Sequence, residues 1–435
     1  MSEFSKELDV EQKRIKGENI RINYSDKKFY ECFFNEYHFA ENSAQRLSRD
    51  AEFVYVQHKK KLRAMEIEMA ESVSPMPLSE VSGSSFSDEK YVRKRLTQPF
   101  YRRVKFRKKS GKSFERRQSI FTDANVIYPR ANSIADNEKF PCPNCGKTAG
   151  LKQLEQGCEA CGEETYITGL FPKVKGFFYR KNNSISIRDI GKTLLVCCII
   201  GMIMGIPFGI SEFIKNVSGR FTQNTFSDAV ASAFTAPLEW IMIGVVAAVL
   251  VLLVRLIYDN IKNTSLIFET NEAKKKIVQT VTEQEKTFCF DDFEAKVISL
   301  LKLVIFTNED EREQLVCCQL KNPVRKFEIA DCLYMGYMKL ADIHTDYNLC
   351  SISLDIYTED ICVKEKKFYV KNNVFRITVE KRLSEMNDTG FELCNSTCPL
   401  CYEHFNSLEN PHCTFCDAEY NPIENDWVVT DVKMK

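Results

Sequence analysis

The sequence predicts a multidomain membrane protein in which a two-helix transmembrane hairpin accompanies an α+β domain and two zinc ribbons. Two apolar runs approach the length that spans a bilayer. Two groups of four cysteines have the spacing of zinc ligands. The C-terminal third has an amphipathic helix followed by segments in which apolar and polar residues alternate. A chain of 435 residues is long enough for several compact units.

The composition indicates the cellular compartment of the protein but not the kind of partner that it binds. Sixty basic and sixty acidic residues cancel, so net charge indicates no partner. Eight of the 18 cysteines form C-x2-C pairs and the other ten show no framework spacing, which favours a reducing compartment over a disulfide scaffold. The first residues are too charged for a signal peptide, so we expect the chain to start in the cytosol.

The N-terminal part divides by composition into four regions. Residues 1–24 are a polar tail, and residues 25–71 carry apolar side chains at three- and four-residue steps that predict helices. Residues 72–90 are rich in serine and contain two prolines, which predicts a linker. Residues 91–138 form a basic region in which alternation predicts strands.

The stretch Arg93–Arg117 has twelve basic residues among 25 and allows three interpretations. The first is a charged strand pair in contact with solvent. The second is attraction to anionic lipid headgroups, because a basic segment beside a membrane gains roughly 1 kcal/mol per basic residue. The third is nucleic-acid binding, for which the interleaved aromatic residues can stack on bases, although no RNA-binding signature accompanies them. Nucleic acid is the least favoured of the three.

Residues 190–262 predict a transmembrane hairpin with spans 193–212 and 238–258. The alternative is a pair of buried core helices. We disfavour it because neither run has a polar face. Basic residues are concentrated before the first span and after the second, and the connecting loop has few. The positive-inside rule therefore places both termini in the cytosol of a multi-pass membrane protein whose partners include the lipid bilayer. We expect Pro207 to kink or shorten the first span.

The two cysteine groups predict one structural zinc ion each, in ribbons at residues 139–169 and 394–430. Their eight ligands are Cys142, Cys145, Cys158, Cys161, Cys398, Cys401, Cys413 and Cys416. Gly146 and Gly162 follow two of the pairs, where a positive φ is needed; Tyr402 and Asp417 take these positions in the second ribbon. Rubredoxin-like iron and disulfides are the alternatives. Four protein ligands leave no open position, so catalytic zinc is not expected.

The C-terminal part predicts a helical layer on one face of an antiparallel sheet. The segment FDDFEAKVISLLKLVIF predicts a helix capped by Asp291, and EDEREQLVCCQL predicts a second short helix. Residues 329–343 and the segments around Ile352 and Ile377 predict strands. The first half of the chain has a similar order of helices, strands and ribbon, without a repeat of residues.

No catalytic motif stands above background, and we predict that the chain is not an enzyme. The best group is Asp342, His344 and Asp346, in which a histidine between carboxylates can serve as a general base. The same residues are typical of a polar strand end or turn, which is the interpretation that we prefer.

Residues 288–430 resemble the Tim forty-four-like domain family, on the helix FDDFEAKVISLLKLVIF, the strands YMGYMKLADIHTDYNLCSISLDIYTEDICV and the strand VFRITVEKRLS. Bacterial members of this family often end, like this chain, in a four-cysteine ribbon followed by an acidic and tryptophan-containing segment, here ENDWVVTDV. The resemblance implies a nuclear-transport-factor-two-like cone at residues 286–385, with an apolar groove at its mouth and a role as a membrane-associated adaptor. It transfers no catalytic residue.

Together these observations predict a membrane-anchored, zinc-binding scaffold or tether that presents its domains to a protein or membrane partner at the cytosolic face. The first alternative is an enzyme that acts on a small apolar or lipid-like substrate in the groove of the cone. The second is nucleic-acid binding through residues 93–117.

Overall fold

A computed structural model describes most of the chain outside its N-terminal region. The described residues are 18–19, 27, 29–31, 49–77, 79–87, 91–109, 111–129, 139–142, 147–166, 171–182, 187–218, 223–313, 315–321, 327–364, 367–384, 396–398, 400–401, 403–407 and 410–435. Most of the predicted polar tail, and residues 32–48 of the predicted helical region, lie outside them. The chain divides into two compact units, one formed by residues 1–182 and 269–435 and the other by residues 183–268.

In the described part of the first half of the chain, strands predominate and one helix is long. Its elements are β1 (Glu18–Asn19), α1 (Arg49–Ala64), β2 (Ile67–Pro75), β3 (Ser82–Ser87), β4 (Tyr91–Lys108), β5 (Ser113–Pro129), β6 (Lys139–Pro141), β7 (Thr148–Gly150), α2 (Leu151–Gln156) and β8 (Lys173–Lys181). Two long helices follow, α3 (Ile187–Ser218) and α4 (Gln223–Thr282).

The second half begins with a helix and continues with long strands. Its elements are α5 (Phe290–Phe306), α6 (Glu309–Glu313), β9 (Ile329–Asp346), β10 (Leu349–Lys364), β11 (Lys367–Arg382), β12 (Ser396–Thr397), β13 (His404–Phe405), a 3-10 turn (Pro422–Glu424) and β14 (Val428–Met434). The mixed α+β content predicted from the sequence is confirmed.

One sheet runs through both halves of the larger unit. Among the described residues it has ten strands in the order β1-β3-β4-β5-β8-β9-β10-β11-β14, with β2 also paired to β4. Neighbours are antiparallel, except that β8 and β9 run parallel and meet at Arg180 and Tyr334. That junction joins the sheet of the first half to that of the second.

The two halves repeat the same order of elements. In the first, α1 and the antiparallel neighbours β4 and β5 precede the first ribbon, and β8 returns from the ribbon to pair with β5. In the second, α5, β9, β10 and β11 precede the second ribbon, and β14 returns to pair with β11. The similar order noticed in the sequence is therefore a similarity of topology, in which each ribbon is inserted between two paired strands.

Helix α5 forms the centre of the larger core. Its predicted apolar face is buried, with Val297 and Val304 at 0 % exposure. It packs against β8 so closely that a Cβ atom on Gly176 would lie 2.6 Å from the Cβ atom of Ala295. The predicted cap is wrong, because Cys289 takes the cap position without a side-chain bond and Asp291 lies in the first turn. Asp291 faces Lys274 and Arg95, at 3.4 Å from each, so its carboxylate serves ion pairs instead.

Three further expectations differ from the structure. Residues 72–90 are not a free linker, because they include the end of β2 and all of β3, and both strands pair with β4. The predicted helical region ends at Ala64, and Met69, which we placed in a helix, lies in β2. The second C-terminal helix shortens to α6, five residues long. In these segments, hydrogen bonds to a neighbouring strand, or a turn of the chain, decide the structure over the secondary-structure propensity of the residues themselves.

Two helices are long and apolar enough to cross a membrane, Thr193–Ser211 within α3 and Glu239–Thr282 within α4. Residues 269–282 of the second helix belong to the larger unit. Small residues lie between the two helices: a Cβ atom on Gly244 would lie 2.6 Å from the carbonyl oxygen of Cys197. Such residues let helix backbones approach closely in lipid. Phe208 stacks on Trp240 at 4.7 Å between ring centroids. Pro207 does not shorten the helix, which continues for eleven further residues to Ser218.

Candidate metal centres

The second ribbon brings four thiols together. The sulfur atoms of Cys398, Cys401, Cys413 and Cys416 all lie within 4.8 Å of one another. The Cys398 and Cys416 sulfurs are 3.5 Å apart, and those of Cys401 and Cys413 are 3.6 Å apart. Four sulfurs at Zn–S distances of about 2.3 Å stand roughly 3.8 Å apart in a tetrahedron. The cluster can therefore hold one tetrahedral ion with little rearrangement.

Backbone donors favour the thiolate form that a metal needs. The N–H group of Leu400 donates to the Cys398 sulfur, and that of Phe415 donates to the Cys413 sulfur, each at 3.4 Å. Burial raises the pKa of Cys398, but hydrogen bonds from the backbone of Cys401 and Leu400 outweigh it and bring this pKa to about 7. A lowered pKa makes the thiolate available near neutral pH.

The first ribbon assembles in the same way from residues 139–166. The sulfur atoms of Cys142, Cys158 and Cys161 lie within 4.8 Å of one another, and those of Cys142 and Cys161 are 3.6 Å apart. Cys145, the predicted fourth ligand, lies outside the described residues. This ribbon packs on the ends of β4 and β5, where Tyr91 and Ile127 share its apolar core.

The cysteine turns of the two ribbons share one backbone pattern. The N–H group of the first cysteine of each pair donates to the carbonyl oxygen five residues on: Cys142 to Lys147, Cys158 to Glu163, Cys398 to Glu403 and Cys413 to Ala418, at 2.8 to 2.9 Å. Gly162 has a φ of 75° and Asp417 a φ of 60°, as predicted for the residues that follow a pair. Gly146 and Tyr402 lie outside the described residues. The two ribbons are thus alike in turn geometry as well as in spacing.

The ribbons also touch each other. The backbone N–H group of Thr148 in the first ribbon donates to a carboxylate oxygen of Glu403 in the second, at 2.7 Å. Glu403 lies in a cysteine turn of its own ribbon, because its carbonyl accepts from Cys398. The two ribbons, whose contacting residues lie more than 250 positions apart in sequence, are therefore neighbours within the larger unit.

The basic stretch 93–117 occupies β4 and β5, and its charges divide between two environments. Arg103 and Arg107 are exposed and pair with Glu115 and Glu68. Arg102 is 3 % exposed and pairs with Glu71 and Asp331. The first interpretation from the sequence, a charged strand pair in contact with solvent, fits the exposed arginines but not the buried Arg102. The sequence could not reveal this difference, because Asp331 lies 229 residues away along the chain.

A buried ionic cluster sits where β4, β5, β8 and α5 meet. Asp123 is fully buried and accepts hydrogen bonds from Arg95 at 3.2 Å and Arg180 at 2.9 Å. Arg95 also donates to Glu294 of α5 at 2.5 Å. Burial alone would raise the pKa of Asp123, but the two guanidinium groups hold this pKa well below its usual range. These charges link the strands of the first half to the helix of the second.

The candidate general base lies on an exposed strand end. His344 Nδ1 is 3.4 Å from an Asp342 carboxylate oxygen, and both side chains are about two-thirds exposed. Asp346 ends β9 just before the turn to β10. The structure brings His344 and Asp342 together in solvent.

Comparison of the chain with protein-family models, with curated proteins and with solved structures found no match. The resemblance to the Tim forty-four-like family therefore remains a prediction.

A buried carboxyl group on β10 should make stability depend on pH. Asp360 is fully buried and accepts hydrogen bonds from Asn373 at 2.7 Å and Thr358 at 3.1 Å. Burial outweighs these bonds and raises the pKa of Asp360 to about 6. The folded state therefore keeps the proton more tightly than the unfolded state, and the resulting stability is present below about pH 4 and is lost as the pH rises through about 6.

We expect the free energy of unfolding of the wild type to fall by about 2–3 kcal/mol relative to Asp360→Asn over that interval. The measurement is urea unfolding of both proteins at several pH values from about 4 to about 7. Subtracting the variant removes the other titrating groups from the comparison. A difference between the two proteins that does not change with pH would contradict the raised pKa.

Proposed function

We propose that this chain is a membrane-anchored, zinc-binding scaffold that presents its paired ribbons to a protein partner. The observation that carries the proposal is a pair of apolar side chains on the cysteine turns of the second ribbon. Leu400 is 70 % exposed and Phe415 is 46 % exposed, although both belong to turns whose backbone is fixed by hydrogen bonds to sulfur. Rigid, exposed apolar groups of this kind suit a binding contact, because little conformational entropy is lost when they are covered.

The first ribbon differs at the corresponding position. Ala160 stands where the second ribbon has Phe415, so this turn offers less apolar surface. The first ribbon instead packs on β4 and β5 through its core and contacts the second ribbon through Thr148. We infer that the first ribbon braces the second, and that the second binds the partner.

The membrane part of the proposal rests on α3 and α4. Their apolar windows have mean hydropathies of 2.4 and 2.7 and are mostly exposed, which suits lipid contact rather than a soluble core. The basic flanks support a topology with both termini in the cytosol, and we propose the inner membrane of a bacterial cell as the location. Reporters that are active only in the cytosol should be active when fused at either terminus. Activity at one terminus alone would contradict the hairpin.

The fold part of the proposal is a nuclear-transport-factor-two-like cone of the Tim forty-four-like kind. It is supported by α5 lying against a sheet whose strands β9, β10 and β11 form an antiparallel meander with register shifts. Register shifts bend a sheet, as a cone requires. An experimental structure of this unit tests the assignment, and a flat sheet without a concave face would exclude it.

Partner binding is tested with the variant Leu400→Ser/Phe415→Ser. Full-length protein, chemically crosslinked in its native membrane, is purified and its co-purifying proteins are quantified. We expect one or a few proteins to be enriched with the wild type and to fall at least tenfold with the variant. The matched control is Tyr347→Asn, which removes an aromatic group that is 93 % exposed at the turn after β9.

The same experiment on Cys398→Ser/Cys401→Ser asks whether the folded ribbon is needed. Partner capture should be lost while the protein stays in the membrane fraction after carbonate extraction. Unchanged capture by either double variant would exclude the second ribbon as the binding element.

A further inference from the structure

The second ribbon carries charges of one sign. Residues 394–430 contain six acidic residues and no lysine or arginine. The first ribbon, at residues 139–169, has four glutamates and three lysines and is therefore nearly balanced. Four thiolates outweigh the charge of one zinc ion, so a filled metal site adds to the negative charge of the second ribbon. The two ribbons thus share a backbone pattern but differ in electrostatic character.

Three of the described acidic side chains of this ribbon have partners within the chain. Glu424 pairs with Arg382 at 3.0 Å, and Asp426 pairs with Lys296 at 2.8 Å. Glu403 accepts the hydrogen bond that comes from the first ribbon. These three carboxylates contribute to holding the second ribbon against the rest of the larger unit.

Two exposed carboxylates, those of Asp417 and Glu419, closely follow Phe415 in sequence. Neither has an ion-pair or hydrogen-bond partner among the residues that the structure describes. Hydrogen bonds fix the turn that carries them. The N–H group of Cys413 donates to the carbonyl oxygen of Ala418, and that of Asp417 donates to the carbonyl oxygen of Cys413, both at 2.8 Å. Phe415 lies in the same turn and is 46 % exposed.

Fixed apolar side chains beside unpaired carboxylates limit the class of partner. Leu400 and Phe415 lie on the two turns of one metal site, since their N–H groups donate to two of its sulfur atoms. A partner that covers them must also bring positive charge to Asp417 and Glu419, because a desolvated carboxylate without a partner is costly. Nucleic acid and anionic lipid headgroups do not meet this requirement, since the acidic residues repel them.

We propose that the second ribbon binds a basic segment of another protein. An apolar side chain of that segment contacts Leu400 and Phe415, and its lysine or arginine side chains pair with the two carboxylates. This inference rests on the proposed function and adds the chemical class of the partner. A second copy of this chain is a poorer occupant, because the exposed Arg103 and Arg107 of its basic stretch already pair with glutamates of their own sheet.

The test is fluorescence anisotropy of a short fluorescein-labelled peptide, in which one leucine stands among lysines and alanines, titrated with full-length protein in a non-ionic detergent. We expect the wild type to bind, and Asp417→Asn/Glu419→Gln to bind about fivefold more weakly, because two exposed ion pairs are lost. Asparagine tolerates the φ of 60° at position 417, so the variant keeps the turn. The matched control, Glu163→Gln/Glu164→Gln, neutralises two exposed carboxylates of the first ribbon and should bind as the wild type does.

Salt and a second peptide make the test independent of folding differences between the variants. The advantage of the wild type over Asp417→Asn/Glu419→Gln should disappear at about 1 M salt, where screening removes it. A peptide with glutamate in place of lysine should not bind. No binding of the lysine peptide, equal binding of the glutamate peptide, or equal affinity of the wild type and this variant at low salt would overturn the proposal.

Crosslinked capture from the native membrane separates this inference from the proposed function. We expect Asp417→Asn/Glu419→Gln to reduce capture, as Leu400→Ser/Phe415→Ser does. Full capture by the first variant with loss in the second would overturn the basic partner and leave the proposed function standing, whereas full capture by both would overturn both. A doubled mass in light scattering that Asp417→Asn/Glu419→Gln abolishes would identify a second copy as the occupant and overturn the proposal.

Discussion

Asp123→Ala is expected to lower the free energy of unfolding by about 3–5 kcal/mol, because it removes a fully buried carboxylate that is the common partner of two partly buried guanidinium groups. Asp123 on β5 accepts hydrogen bonds from Arg95 on β4 and Arg180 on β8, and also from Thr97 at 2.5 Å. Without this carboxylate the positive charges of Arg95 and Arg180 lie close together, and the acidic groups that remain beside them are those around Glu294. The loss should weaken the junction between the two halves.

The measurement is urea unfolding of the full-length protein, followed by the fluorescence of Trp427 in a Trp240→Phe background. Trp427 is 5 % exposed and packs against Phe293 at 4.9 Å between ring centroids, so its emission reports the core around α5. The matched control is Asp342→Ala, which removes an exposed carboxylate and should change stability by less than about 0.5 kcal/mol. A loss below about 1 kcal/mol for Asp123→Ala would contradict a structural role for this cluster.

The second large effect is expected from Cys398→Ser/Cys401→Ser. Metal binding contributes most of the folding energy of a ribbon this small, because its own core is limited to a few residues such as Phe405 and Tyr420. Loss of the metal should unfold residues 396–420 and release the start of β14, which follows the ribbon directly. We expect rapid proteolytic cleavage within the ribbon, followed by loss of the β11–β14 pairing.

Limited proteolysis with mass spectrometry locates the cleavage sites. The control Cys289→Ser changes a cysteine that is not a ligand and should leave the ribbon as resistant as in the wild type. The corresponding double variant of the first ribbon, Cys142→Ser/Cys161→Ser, should be cleaved within residues 139–166 instead. Equal resistance of the wild type and both double variants would show that the ribbons fold without metal.

The sequence predicted those parts of the structure that depend on local spacing. The cysteine pairs, the apolar windows of α3 and α4 and the buried face of α5 each follow from the identity of residues a few positions apart. The positive φ of Asp417 was expected for the same reason, because the residue after a cysteine pair needs that conformation.

Features that depend on distant partners could not be predicted in this way. The segment Ser82–Ser87 has a composition typical of a linker, yet it forms a strand because β4 supplies its hydrogen bonds. Arg95 and Arg102 resemble the exposed arginines beside them in sequence, and only the fold shows that they pair with carboxylates more than 190 residues away.

The four-cysteine ribbon occurs twice because the two halves of the chain repeat the same order of elements. In each half a helix and strands precede the ribbon, and a returning strand follows it. Each half closes its sheet with the strand that follows its ribbon, so each ribbon stands at the end of a β-hairpin. The parallel junction of β8 and β9 places the halves beside each other, and the contact between Thr148 and Glu403 joins the ribbons. We infer that the second ribbon gains a braced position from which Leu400 and Phe415 can contact a partner.

Elemental analysis of the detergent-purified full-length protein and its two double variants shows whether each ribbon is a closed metal site. We expect two zinc ions per chain in the wild type and one in either Cys142→Ser/Cys161→Ser or Cys398→Ser/Cys401→Ser. Iron in place of zinc, or no metal with the eight cysteines oxidised, would contradict it.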